Sequence, residues 1–292
     1  MIWHCGDYRL NLDRGPLIMA ILNLSPDSFS DGCAALDKAM DHAAQLVRDG
    51  AHIIDVGGES TRPGSEPVPA DLEIERVVPV ITRLVTEFDL PISVDTQKPE
   101  VAAAAVTAGA SIVNHVSASL DFEKMVPVLA SNRVGYVAMH MKARPKSMQR
   151  EATYADAVDE VGTALVVVRD RLNEAGIEAE RCLYDPGIGF GKKLDHNLEL
   201  MRAADRLVAR LGRPLLMGIS RKSWMNHLLG ADMSKDTQAV LVRDALTAVA
   251  STLMPYPAAA VHRVHHPALC RDAFVLRDRL LGQEWSGYAS RS

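Results

Sequence analysis

Eight short runs of the chain are apolar at nearly every position and rich in β-forming residues. They are LIMAILN (17–23), HIIDVG (52–57), PISVD (91–95), SIVNHV (111–116), VGYVAMH (134–140), RCLYDPG (181–187), PLLMGIS (214–220) and AAVHRVHH (259–266). Runs apolar on both faces suit strands buried in a parallel sheet. Between them, apolar positions recur at helical spacing over 34–50, 69–88, 98–110, 154–176, 195–212, 236–254 and 267–282. The stretch 98–110 opens at Pro99 and closes beside Gly109, and others stop at Gly50 and Gly176, which is the asymmetry expected of helices. Eight strands alternating with helices predict an α/β fold, a single (β/α)8 TIM barrel. A doubly wound open sheet is the alternative. The barrel is preferred because the strands number eight and each ends on unusual polar residues. WHCGDYRLNLDRG, ahead of the first of these strands, predicts a short hairpin over 1–16 that caps the barrel's bottom. Without a linker or composition shift to mark a boundary, 1–292 reads as one domain.

Composition narrows the function classes. Of 292 residues, 48% are hydrophobic and 24% charged, with a formal charge of −5. Such a surface offers no basic face for a nucleic-acid backbone. Cys5, Cys33, Cys182 and Cys270 are far apart and form no C-x-x-C pair, so free thiols in a reducing cytoplasm are expected. MIWHCGDYRL lacks the basic start and apolar core of a signal peptide, and no apolar run reaches membrane-spanning length. The expectation is a cytoplasmic protein with neither nucleic acid nor membrane as partner.

In a barrel of this kind chemistry sits at the C-terminal ends of the strands. Those ends carry Asn23, Asp55, Asp95, Asn114, His140, Asp185, Lys222, and Arg263 with His265. Polar groups from nearly every strand are hard to explain as packing, since each costs about 1–3 kcal/mol if buried unpaired. Asp95, Asn114 and Asp185 suit a flat, nitrogen-rich heterocycle, because carboxylates accept from ring N–H and amino groups. Arg62, Arg263, His265 and Asn23 suit an anion, and Lys222 suits either half. The implied substrate is a heterocycle bearing a phosphate. Asp55 reads as support for the loop of Glu59 and Arg62. His262, His265 and His266 read as structural or phosphate-contacting, not as metal ligands, and His140 stays open between a catalytic and a structural role. YDPGIGFGKK (184–193) superficially suggests a phosphate cradle. However, Gly187 and Gly191 enclose only three residues, and Lys193, not Ser or Thr, follows Lys192, so it is no P-loop.

Six fragments in order resemble the dihydropteroate synthase family. They are ILNLSPDSFSDG (21–32), DVGGESTRPGSEPV (55–68), SVDTQKPEVAAAAVTAGASIVN (93–114), DPGIGFGKKLDHNLEL (185–200), GISRKS (218–223) and RVH (263–265). The resemblance implies a pterin-binding TIM-barrel transferase of folate biosynthesis. It would join 6-hydroxymethyl-7,8-dihydropterin pyrophosphate to p-aminobenzoate, releasing pyrophosphate, with Mg2+ as cofactor and a homodimer formed through the later helices. By matched motif, Asp95, Asn114, Asp185, Lys222 and Arg263 would bind the pterin, with Asp95, Asp185 and Lys222 acting in catalysis. Asn23, Arg62, Arg263 and His265 would bind pyrophosphate, Asn23 also meeting the magnesium ion. Thr61, Pro63, Phe190, Lys222 and Ser223 would wall the p-aminobenzoate pocket. Loops 24–33 and 58–70 would close over the pyrophosphate. The sequence departs from the family pattern at His115, at Lys142-Ala143 and at His266. Two alternatives stand beside the synthase: a divergent pterin-binding paralogue with altered or no synthase activity, and a methyltetrahydrofolate-dependent methyltransferase, for which ESTRPGSEP and SRKS have no use.

Overall fold

The computed structural model describes residues 1–24, 33–60, 65–143, 152–229, 237–282 and 290–291. Strands β1 (Ile2–Cys5) and β2 (Tyr8–Asn11) form an antiparallel hairpin. Eight parallel strands follow: β3 (Leu17–Asn23), β4 (Ile53–Gly57), β5 (Ile92–Thr96), β6 (Ile112–His115), β7 (Gly135–Met139), β8 (Cys182–Asp185), β9 (Leu215–Met217) and β10 (Ala259–Val264). They close into a barrel in which β10 pairs with both β3 and β9. The TIM barrel expected from the alternating pattern is therefore the fold, and all eight predicted strands are present within a few residues of their predicted ends.

Strand period two sorts each strand into two sets of side chains. One set, including Leu17, Met19, Ile53, Ile112, Val137, Leu183 and Leu216, packs inside the barrel against Trp3, Leu10 and Leu12 of the hairpin segment. The other set, including Ala20, Leu22, Ile54, Val56, Val94, Val113 and Tyr136, packs against the helices. The hairpin therefore plugs the N-terminal end of the barrel. Its fit is tight, since a side chain at Gly135 would meet Cys5 Sγ at 2.6 Å. Trp3 Nε1 donates to the Arg181 carbonyl at 2.9 Å. The buried Arg181 guanidinium in turn donates to the carbonyls of Leu129, Asn132 and Val134. A short strand, β11 (Ser290–Arg291), extends the hairpin sheet along β2.

The helices are α1 (Cys33–Arg48), α2 (Ala70–Glu87), α3 (Pro99–Thr107), α4 (Ala118–Asp121), α5 (Val126–Ser131), α6 (Ala157–Glu174), α7 (Leu194–Arg202), α8 (Ala204–Leu211), α9 (Trp224–Leu229), α10 (Thr237–Leu253) and α11 (Pro267–Leu280). The periodicity predicts seven. The single helix expected over 195–212 is two, α7 and α8, meeting at Ala203, and the short α4, α5 and α9 escape a pattern that needs several turns to show. No described helix is long and apolar enough to cross a membrane.

Trp3 is fully buried and hydrogen-bonded. Trp3→Ala is expected to lower unfolding stability by about 3–5 kcal/mol, measured by urea denaturation. A loss below about 1 kcal/mol would mean that the hairpin is not the barrel's plug.

Candidate active site at the barrel mouth

The strand register lays Asn23, Gly57, Asp95 and Asn114 side by side across four neighbouring strands. Their shared parity puts them on the interior face, one layer above the apolar plug. Gly57 leaves a gap there, and a Cβ at that position would lie 3.4 Å from Asn23 Oδ1 and 3.7 Å from Asp95 Oδ2.

Arg263, two residues after the interior Val261 of β10, ties this layer together. Its Nε donates to Asp55 Oδ2 at 2.5 Å and its NH2 group to Asp95 Oδ2 at 2.5 Å. Asn114 Nδ2 donates to the same Asp55 oxygen at 3.1 Å. Asp55 was expected to position the loop of Glu59 and Arg62. Instead it holds Asn114 and Arg263, because its parity faces the barrel interior. Among the described residues, Asp55 Oδ1 and Asp95 Oδ1 are buried with no hydrogen-bond partner, leaving two acceptors that suit a ligand's N–H groups. Burial pushes the Asp95 carboxyl up to about 7, against the pull of Arg263. Burial also disfavours the Arg263 charge, yet Asp95 and Asp55 hold its pKa above the ordinary arginine value.

The opposite side of the mouth is built by Asp185 at the end of β8 and Lys222 after β9. Asp185 is buried and raised by that burial, with Lys222 opposing the shift. Lys222 is lowered to about 8 by burial, with Asp185 opposing. Both approach Gly218, where an added Cβ would lie 3.2 Å from Asp185 Oδ2 and 3.7 Å from Lys222 Nζ. Asp185 Oδ1 accepts from Gly187 N at 2.7 Å, which starts the turn of the glycine loop. Lys222 Nζ donates to the Ile188 carbonyl and lies 4.3 Å from the centre of the Phe190 ring. The mouth thus has three carboxylates, two amides and two cations within a single rim of strand ends.

The remaining predicted residues fall as follows. His265 receives a Ser220 hydroxyl contact at 3.0 Å through Nδ1. Ser223 is exposed and lines a cleft of about 350 Å3 with Lys193, Trp224 and His227. Thr61, Arg62 and Pro63 lie outside the described residues, as do Gly64 and 25–32 of the two loops expected to close. Asn23 is exposed at the end of β3. Among the described residues no three His, Cys, Asp or Glu side chains gather as a metal site. A lone amide oxygen at Asn23 fits Mg2+ that arrives with a polyphosphate and keeps most of its ligands from phosphate and water.

The three departures from the family motifs lie off this rim. His115 has the parity opposite to Asn114 and bonds Tyr136 OH at 2.8 Å and Ser117 Oγ at 3.2 Å, near Asp121. His266 caps α11, with Nδ1 accepting from Leu269 N. Lys142 reaches across to Glu160 and lies over the Tyr154 ring. His262, also of opposite parity, packs on Phe274. His140 is buried against Lys192 and held neutral, its pKa driven well below the ordinary value by burial and by that lysine.

Two groups escape the sequence reading. Lys192 is buried and lowered to about 7 by that burial, with Asp185 opposing. Lys98 bridges Glu59 and the fully buried Glu73, and Glu59 also accepts from Val68 N, so the two ends of the second loop are joined. The cue to Lys98 was its place three residues after Asp95, at the start of α3.

Comparison with known proteins agrees with this fold. The family model described as pterin binding enzyme matches residues 19–265. A dihydropteroate synthase of Bacillus subtilis is 43% identical over 228 residues, covering 77% of each chain. A Xanthomonas albilineans dihydropteroate synthase structure with 4-aminobenzoic acid superposes with a TM-score of 0.84 at 39% identity, covering 96% of this chain and 98% of that one. The Burkholderia cenocepacia enzyme complexed with 7,8-dihydropteroate gives a TM-score of 0.83 at 34% identity, covering 96% of both chains. The chain belongs to the dihydropteroate synthase family of pterin binding enzymes.

Proposed function

We infer that the barrel mouth joins 6-hydroxymethyl-7,8-dihydropterin pyrophosphate to p-aminobenzoate, giving 7,8-dihydropteroate and pyrophosphate. The observation that carries this reading is the pair of buried carboxylate oxygens on Asp55 and Asp95 that have no partner among the described residues, beside Asn114 and with Asp185 across the mouth. They suit the N–H-rich edge of a pterin. Relatives that bind 4-aminobenzoic acid and 7,8-dihydropteroate support the same substrates.

In this scheme the C–O bond between the pterin methylene and pyrophosphate breaks as the arylamine nitrogen forms its bond to that carbon. The amine's released proton passes to solvent water, and pyrophosphate leaves with the C–O electron pair. Positive charge grows on the methylene and spreads into the ring. Asp95 and Asp185 stabilise it from the rim, where low dielectric strengthens their effect. Asn114 and Lys222 fix the ring's orientation, and Arg263 and His265, with Arg62, receive the anion. Phe190 and Ser223, with Thr61 and Pro63, wall the arylamine. Mg2+, when bound with the pyrophosphate at Asn23, would offset the charge of the leaving group. We place the enzyme in the cytoplasm, a reading supported by the buried free thiols of Cys5, Cys182 and Cys270. We also read it as a homodimer through α10 and α11, where Leu241, Val249, Leu253, Leu276 and Leu280 are exposed.

Three outcomes are expected. Asp185→Asn should cut pyrophosphate release by at least about a hundredfold, and near-normal turnover would remove Asp185 from the chemistry. The pH profile of kcat/KM for the pterin substrate should be a narrow bell. Its acid limb, near 7, marks protonation of the Asp95 carboxylate, and its alkaline limb, near 8, marks loss of the Lys222 proton. A rate that stays flat from pH 6 to 10 would contradict both assignments. Leu253→Asp should convert the dimer to a monomer by light scattering, whereas an unchanged mass would rule out this face.

A further inference from the structure

We propose that Lys192 is a positioning residue for the arylamine side of the pocket, fastening the glycine loop so that Phe190 stands in place. This rests on the reading above that Phe190 walls the p-aminobenzoate site.

The loop between Asp185 and Lys192 contains Gly187, Gly189 and Gly191, with φ of +69°, +83° and +60°. Three left-handed glycines within five residues leave a segment with little intrinsic shape, since glycine has the most backbone freedom to lose. Side chains from outside supply that shape. Asp185 Oδ1 takes Gly187 N, and Asn197 Oδ1 takes Gly189 N at 2.7 Å. Lys192 Nζ gathers the carbonyls of Gly187 at 3.0 Å and Phe190 at 3.1 Å, and reaches His140 Nδ1 at 3.0 Å. The two loop carbonyls bracket the segment that carries Phe190, and His140 anchors the lysine to the end of β7.

A lysine normally extends its ammonium to water. This one is 4% exposed and has no carboxylate among its hydrogen-bond partners in the described residues. Burying an ammonium is costly unless its donors are used, and here all three N–H groups have an acceptor. The arrangement needs a lone pair on His140 Nδ1, which fits a histidine kept neutral by burial and by the lysine beside it. The joint leaves no room for slack, because a Cβ at Gly187 would lie 1.9 Å from the His140 carbonyl oxygen. From this anchor Phe190 packs against Val116, Met139, Met141 and Ala143 and presents its ring to Lys222.

The test is Lys192→Met in the full chain. The KM for p-aminobenzoate should rise about tenfold, with kcat changed less than about threefold and pterin pyrophosphate affinity by calorimetry nearly unchanged. Hydrogen exchange at amides 187–191 should quicken while the barrel strands keep their protection. His140→Leu, which removes the acceptor, should reproduce both effects, and the double variant should be no worse than either single one. His140→Gln, which keeps an acceptor, should lie closer to the wild type. Unchanged arylamine KM together with unchanged loop exchange would overturn the proposal, as would equal losses for both substrates. Should Lys192→Met fail to fold, the two His140 variants decide by the same readouts. A wild-type protein that releases no pyrophosphate would instead sink the proposed function, and loop exchange would still decide the clamp.

Discussion

Arg263 sets the charge balance on which the mouth of this barrel depends. Asp55 and Asp95 are both buried and both contact this one guanidinium, and Asp55 also carries Asn114. Two carboxylates this close in a low-dielectric interior repel strongly unless a cation stands between them. Arginine suits the task because its planar fork reaches two acceptors at once and keeps its proton under burial. With it in place, each acid spends one oxygen on the protein and keeps the other for a ligand. The fold thus holds acceptors in a fixed geometry, which is what electrostatic preorganisation requires.

The second cation, Lys222, does a different job. It stands with Asp185 across the rim and is itself placed by the glycine loop, through the Ile188 carbonyl and the Phe190 ring. The strand after which it lies continues into Ser220 and Arg221. Arg221 takes a φ of +55°, uncommon for a residue with a side chain, and is gripped by both oxygens of the buried Asp244 on α10. The ion pair holds the turn that delivers Lys222, so the two cations of the mouth are supported from separate parts of the scaffold.

Most of the fold was legible because the barrel writes its strands as continuous apolar runs, and because polar residues at their ends have no packing reason to be there. Asp95, Asn114, Asp185 and Arg263 could be read this way. Asp55 reads in sequence as a support for its neighbours, Glu59 and Arg62. Its partners among the described residues lie 59 and 208 positions away, brought near by closure of the sheet. Lys192 was not legible, since nothing in Gly-Lys-Lys says which lysine turns inward. The structure buries Lys192 and exposes Lys193. The short helices α4, α5 and α9 were missed because four to six residues complete barely one turn and carry no period. The split between α7 and α8 occurs at Ala203, with neither proline nor glycine to announce it.

His115 beside Asn114 shows how this architecture separates two kinds of change. Adjacent residues on a barrel strand belong to different compartments, one facing substrate and the other facing helices. A substitution in the helix-facing series is absorbed locally, as the cluster of His115, Tyr136, Ser117 and Asp121 illustrates. A one-residue insertion or deletion within the same strand would instead exchange the two series beyond it, turning apolar groups toward the ligand and ionisable groups into the packing layer. Substitution can therefore alter one compartment of this barrel without touching the other. A length change in a loop, by contrast, would alter reach without swapping faces.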